Sequence, residues 1–211
     1  MFDPKAFYPR ISSLLRNEQH HEAERAMLVE RAELIRMGDT GSLRTVTNRL
    51  AHFYSLPTSE NLAEAEKCFV ECEALSPEPY TLLQTATFHF YVRRDFPKTI
   101  AKVDEIKSRW DVAYDDSYYS ALTLKGEALL ELGDIDAANH VLEEMLAMIK
   151  SLPARLPYGD ELNFMSVAIS KPILADRSRE ILRLIVPRIR SLEYVERAKA
   201  LLGEDPLHLI L

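Results

Sequence analysis

His20, His21, Glu22 and Glu24 stand close enough along the chain to approach a zinc ion, with His20 and Glu24 one helical turn apart. The set lacks the two-histidine, one-turn spacing of a metalloprotease helix, and a solvated helix start accounts for it. Asp111, Asp115 and Asp116 offer carboxylates to a magnesium ion. Such a site needs a second acidic cluster facing the first, and Ser117, Tyr118 and Tyr119 follow instead, so capping of a helix that begins near 116 explains Asp115 and Asp116 better. Cys68 and Cys72 are again one turn apart, a spacing poorly suited to a disulfide within one regular helix, and they read as buried structural thiols. The chain holds no Gly-rich phosphate loop, no nucleophile elbow and no paired Cys/His constellation, and none of its 6 histidines has a nucleophile at motif spacing. The expectation is a protein without catalysis, cofactor or metal ion.

Composition narrows the partners. The chain has 211 residues, 47% of them hydrophobic, which is ample for a continuous core. Its net charge of -7 argues against nucleic acid, because neutralising phosphates needs a basic face. Charge is unevenly placed: residues 60–78 are rich in glutamate, whereas 171–199 carry Lys171, Arg177, Arg179, Arg183, Arg188, Arg190, Arg197 and Lys199. Solvated helix faces laced with opposite charges account for most of this pattern. Met1-Phe2-Asp3-Pro4-Lys5 lacks the basic start and apolar run of a signal peptide, and no stretch has the ~18 apolar residues of a membrane span. With thiols in a reducing compartment, the expected setting is soluble and cytoplasmic.

The elements that must position these residues are helical. Apolar residues recur at helical spacing over 4–17, 20–37, 42–56, 59–75, 79–93, 96–110, 116–132 and 134–151, then over 160–170, 173–186 and 188–202. Ser42 and Ser59 are candidate N-caps, and the Pro77 and Pro79 region ends one helix because proline cannot continue the hydrogen-bond ladder. The sequence also repeats itself. Asn61-Leu62-Ala63-Glu64-Ala65 returns in Phe96-Pro97-Lys98-Thr99 and again in Gly133-Asp134-Ile135-Asp136-Ala137-Ala138. The small residues Ala65, Thr99 and Ala138 are 34 and 39 positions apart (99 − 65 and 138 − 99). A period near 34 in a helical sequence marks stacked helix pairs, none able to bury its apolar face alone.

In these residues the chain resembles the tetratricopeptide repeat family. Gly126 and Leu129, the Gly133-Asp134 turn, then Ala138 and Leu142 match its helix pair best. Ala65, Phe69 and Pro77 match its second helix, with Ala51 and Tyr54 fitting the first. Thr87, Phe90, Thr99 and Val103 hold a degenerate middle copy with no closing proline. The resemblance implies an all-α fold, a right-handed α-α superhelix. A helix pair would occupy 1–41, three repeats 42–152, and helices 153–211 would cap the open end of one continuous solenoid. Pro153, Pro157 and Gly159 would link the repeats to the cap, and the final Leu207-His208-Leu209-Ile210-Leu211 would dock on it or on another chain.

The resemblance further implies a concave groove lined by the first helix of each pair. Carried onto this chain, its ligand-facing residues are Asn48, Arg49 and His52, then Thr81, Gln84, Thr85, Phe88 and Tyr91, then Thr123 and Glu127, with Thr45, Ser120 and Leu124 beside them. Amide, hydroxyl and aromatic groups suit a protein or peptide ligand, extended or helical. Only Asn48 and Arg49 match the family's variant that grips acidic C-terminal tails. An adaptor or chaperone-like interaction module is the first expectation, and the acidic tetratricopeptide chaperones of bacterial secretion systems look similar in pI and repeat count. The alternative is a structural subunit that assembles, as a homodimer or within a complex, through 173–211. For each groove residue, ordinary surface or core packing is the competing reading.

Overall fold

The computed structural model describes residues 2–59, 61–112, 115–152, 156 and 158–204. The expected linker prolines Pro153 and Pro157 and the terminal Leu207–Leu211 segment lie outside the described residues. All regular structure among the described residues is helical, and no helix among them is long and apolar enough to cross a membrane. Contacts cluster into two compact units, 1–85 and 86–211, and the division falls inside a helix where the sequence marks no linker.

The first unit holds α1 (Pro4–Arg16), α2 (His20–Met37), α3 (Thr40–Tyr54), α4 (Leu62–Leu75) and the start of α5 (Pro79–Phe88). Short acidic or amide side chains begin most of these helices by accepting otherwise orphaned N–H groups. Asp3 caps α1, Asp39 caps α3 through the Ser42 N–H at 3.0 Å, and Asn61 caps α4. The caps expected at Ser42 and Ser59 are thus corrected. Ser42 donates its backbone N–H to Asp39, and the Ser59 hydroxyl turns back to the Phe53 carbonyl at 2.6 Å. Packing runs in chain order, α1 on α2, α2 on α3 and α3 on α4. Ile11, Met27, Leu34, Leu50 and Phe69 are fully buried between them. Arg31 of α2 ties α4 with two bonds to the Glu71 carboxylate, 2.7 and 2.6 Å.

The second unit begins within α5, which ends in a π turn over His89–Arg93, with Arg94 in the left-handed region at φ 53°. It continues with α6 (Phe96–Arg109), α7 (Asp116–Glu131), α8 (Ile135–Ser151), α9 (Leu162–Ala168), α10 (Pro172–Ile185), a 3-10 turn (Val186–Arg188) and α11 (Leu192–Leu202). Asp95, Asp115 and Asp134 cap α6, α7 and α8, Asp115 by accepting from the Tyr118 N–H at 2.8 Å. Helix α7 packs on α6 and α8; α9 then packs on α7, and α10 on α8. Ile181, Leu182 and Ile185 of α10 are fully buried by this stacking, so they are spent within the chain. Gly126 of α7 meets Phe164 of α9, so its small size serves the contact with the following pair and not the expected crossing with α8.

Candidate functional site: a cleft beside α3 and α5

Helix α3 presents Arg44, Thr45 and Asn48 to the cleft, because Asn48 lies four residues from Arg44 and three from Thr45, and residues three and four apart share a side of the helix. Tyr80, Thr81 and Gln84 of α5 form the facing wall, Tyr8 of α1 closes one side, and Cys72 of α4 contributes to the floor. The cleft between them has a volume of ≈ 150 Å³ and lies wholly in the first unit. Arg44 is ion-paired with Glu78, which cancels its charge at the rim. The Thr45 hydroxyl donates to the Gly41 carbonyl at 3.2 Å and the Thr81 hydroxyl to the Ser76 carbonyl at 2.9 Å, so both are satisfied by their own backbone. The Asn48 amide and the Tyr8 and Tyr80 hydroxyls have no hydrogen-bond partner within the chain among the described residues. Tyr80 is 50% and Tyr8 39% exposed, leaving two phenol rings at the edge.

One turn beyond Asn48, His52 Nε2 donates to Gln84 Oε1 at 3.1 Å, and its ring meets Phe69 edge-on at 5.5 Å. That bond uses the Gln84 oxygen and fixes the side chain from behind. Burial holds the His52 ring below the ordinary histidine value, the Gln84 bond opposes this, and the Arg49 charge adds to the depression. The unfolded chain protonates this ring near the ordinary 6.5, the folded chain only at lower pH. Between the two the unfolded state binds more protons, so this residue's effect is a loss of stability as pH falls through that window. Urea unfolding at pH 7.5 and 5.5 checks it: wild type should lose stability relative to His52→Gln as the pH falls. A constant difference between the two proteins contradicts the assignment.

The remaining expected groove residues scatter. Arg49 is half-buried and does not line the cleft. Thr85 is 1% exposed and its hydroxyl bonds the Thr81 carbonyl at 3.4 Å. In the second unit Phe88 and Thr123 are buried, Thr123 donating to the Ser120 carbonyl at 2.7 Å, and neither offers surface to a ligand. Tyr91 is 53% exposed. Glu127 lines a separate cleft of ≈ 250 Å³ with Leu130, Glu131, Val167 and Lys171, and burial, aided by Glu131, pushes its carboxyl up to about 7. Sequence reasoning missed Tyr8, Arg44, Cys72 and Tyr80. Arg44 was within reach, since it precedes Asn48 by one turn; Tyr8 was not, because α1 lies outside the segment where repeats were expected.

The two thiols are free and buried, with burial pushing Cys68 up to about 11 and Cys72 up to about 12, so both stay neutral. Glu24, weighed above as a zinc ligand, accepts from the Tyr54 hydroxyl at 2.8 Å. The cleft thus brings together amides, phenols, one ion-paired guanidinium and one inert thiol. Such a lining can hold hydrogen-bonding groups and stack against apolar ones. It has no activated nucleophile. A scan against protein-family models matched none of them, and a search of curated proteins returned no significant similarity.

Proposed function

We propose that the chain is a noncatalytic interaction module, a tetratricopeptide-like right-handed superhelix that holds a peptide segment of another protein in the cleft beside α3 and α5. The observation that carries this reading is the unspent hydrogen-bonding capacity of Asn48, Tyr8 and Tyr80 around one concave surface. An extended peptide needs backbone partners and apolar edges, and amide and phenol groups supply both at low entropic cost. The stacking of α9 on α7 and of α10 on α8 supports the repeat architecture, since successive pairs of a helical repeat bury one another in this way. The neutral free thiols support a reducing, cytoplasmic setting. An adaptor or a chaperone for unfolded segments fits this surface equally.

A second reading, a subunit assembled through 173–211, draws on Ile173 and Leu192, which remain 66% and 78% exposed. Light scattering after size exclusion separates the two, because a stable, concentration-independent oligomer lost in Ile173→Lys with Leu192→Lys favours the subunit. The peptide reading is tested by selecting binders from a random-peptide display library. Enriched peptides should lose affinity by about tenfold or more, roughly 1.4 kcal/mol, for a folded Asn48→Ala, Tyr80→Ala variant. Equal binding to both proteins, or no enrichment, contradicts it.

A further inference from the structure

The turn leading into α9 buries a carboxylate. Glu161 is 0% exposed; its Oε2 accepts the Gly159 N–H at 2.8 Å, while its Oε1 is buried without a partner. The Tyr119 hydroxyl of α7, also buried, lies beside the Glu161 carboxyl outside hydrogen-bond geometry, and its O–H dipole favours the ionised form. Asp160, adjacent in the chain, receives the Ser120 hydroxyl at 2.9 Å. Tyr158 packs edge-on to Tyr119 at 6.2 Å, and Arg188 reaches the Tyr158 hydroxyl at 3.2 Å and the Ile149 carbonyl at 3.4 Å. No cation contacts the Glu161 carboxylate among the described residues, and the neighbouring Asp160 charge repels a second negative one. A buried charge in that position is costly, so the carboxyl is favoured in its neutral form.

The same turn seats the last helix. Gly159 adopts φ +125°, and a β-carbon there would stand 2.6 Å from Cδ2 of Tyr194 in α11, so the ring lies directly against the bare backbone. Helix α11 also packs on α9, α10 and the 3-10 turn, but buries little of itself there. Ala198 is its one buried residue, and Arg197 adds a bond to Asn163 at 2.7 Å. An element with so few buried contacts opens at low free energy.

We propose that Glu161 is a proton-operated latch: protonated, it holds the 158–161 turn as the seat of Tyr194, and ionised, it leaves its buried position and releases α11. The Gly159 N–H links the carboxyl to the seat, so withdrawal of the side chain frees the glycine that the ring rests on. Burial sets the working range, pushing Glu161 up to about 7 from the ordinary 4.5, with Asp160 reinforcing the shift and the backbone bonds and the Tyr119 hydroxyl opposing it. The closed state therefore binds more protons between those values, and its advantage disappears as the pH rises through them.

Hydrogen exchange of α11, corrected for the intrinsic pH dependence of amide exchange, tests the latch in the full chain. Opening should increase about tenfold between pH 6 and pH 8 in wild type. Glu161→Gln, which keeps an acceptor for Gly159 but cannot ionise, should show no such increase. Opening that does not change with pH in wild type overturns the proposal, as does the same increase in Glu161→Gln. Carbon-13 carboxyl titration of wild type gives a reading independent of any variant: a midpoint for Glu161 near 7 supports the latch, and one near 4.5 overturns it.

Discussion

Gly126→Leu is expected to destabilise the second unit by about 2–3 kcal/mol, through overpacking at the contact of α7 with α9. A β-carbon at this position would stand 2.3 Å from Cε1 and Cζ of Phe164, and Phe164 is itself fully buried. Gly126→Ala sets two effects against each other. Removing glycine from a helix interior gains roughly 0.5–1 kcal/mol, but the ring cannot yield without disturbing the core around it. The clash should win, so alanine too should destabilise. Urea unfolding reads both, as a lower midpoint with an unchanged slope. Adding Phe164→Ala to Gly126→Leu should recover part of the loss, a coupling that a propensity effect alone does not produce. An unchanged midpoint in Gly126→Leu removes this contact from the account.

Phe69→Ala should cost about 3–5 kcal/mol, the range for truncating a buried aromatic side chain. Phe69 is 1% exposed in α4 and supports the His52 ring, which in turn holds Gln84. Domains of this kind are stable by only ~5–15 kcal/mol, so the variant should lie near the edge of folding. It should also loosen the cleft wall, visible as increased exchange of the Gln84 side-chain amide. A loss below about 1 kcal/mol means that the core around α3 and α4 closes without this ring.

Helix positions were legible because prolines, glycines and acidic caps punctuate the chain. The segment 20–37 was expected as a helix and α2 spans His20–Met37; 96–110 was expected and α6 spans Phe96–Arg109. Caps were less legible, since several polar residues precede each helix and only geometry decides among them. Asp39 reaches the Ser42 N–H and Asn61 the Glu64 N–H, displacing Ser42 and Ser59 from that role. The site was legible in part. Asn48, Thr81 and Gln84, named by the resemblance, line one cleft. Phe88 and Tyr91, expected on one face, part company for a reason no periodicity reveals: the π turn over His89–Arg93 changes the angular register between them, and Phe88 is buried while Tyr91 is exposed. Glu161 gave no signal either, because its burial depends on α7 and on a turn far from any motif.

The most direct measurement of the central claim is the nitrogen-15 spectrum of the Asn48 and Gln84 side-chain amides during titration with a peptide selected by the intact chain. The account predicts that both NH2 pairs shift together, saturate with the affinity of the peptide, and do so while the Glu127 cleft remains unperturbed. Binding that leaves both amides unmoved contradicts it, and places the interaction surface elsewhere on the chain.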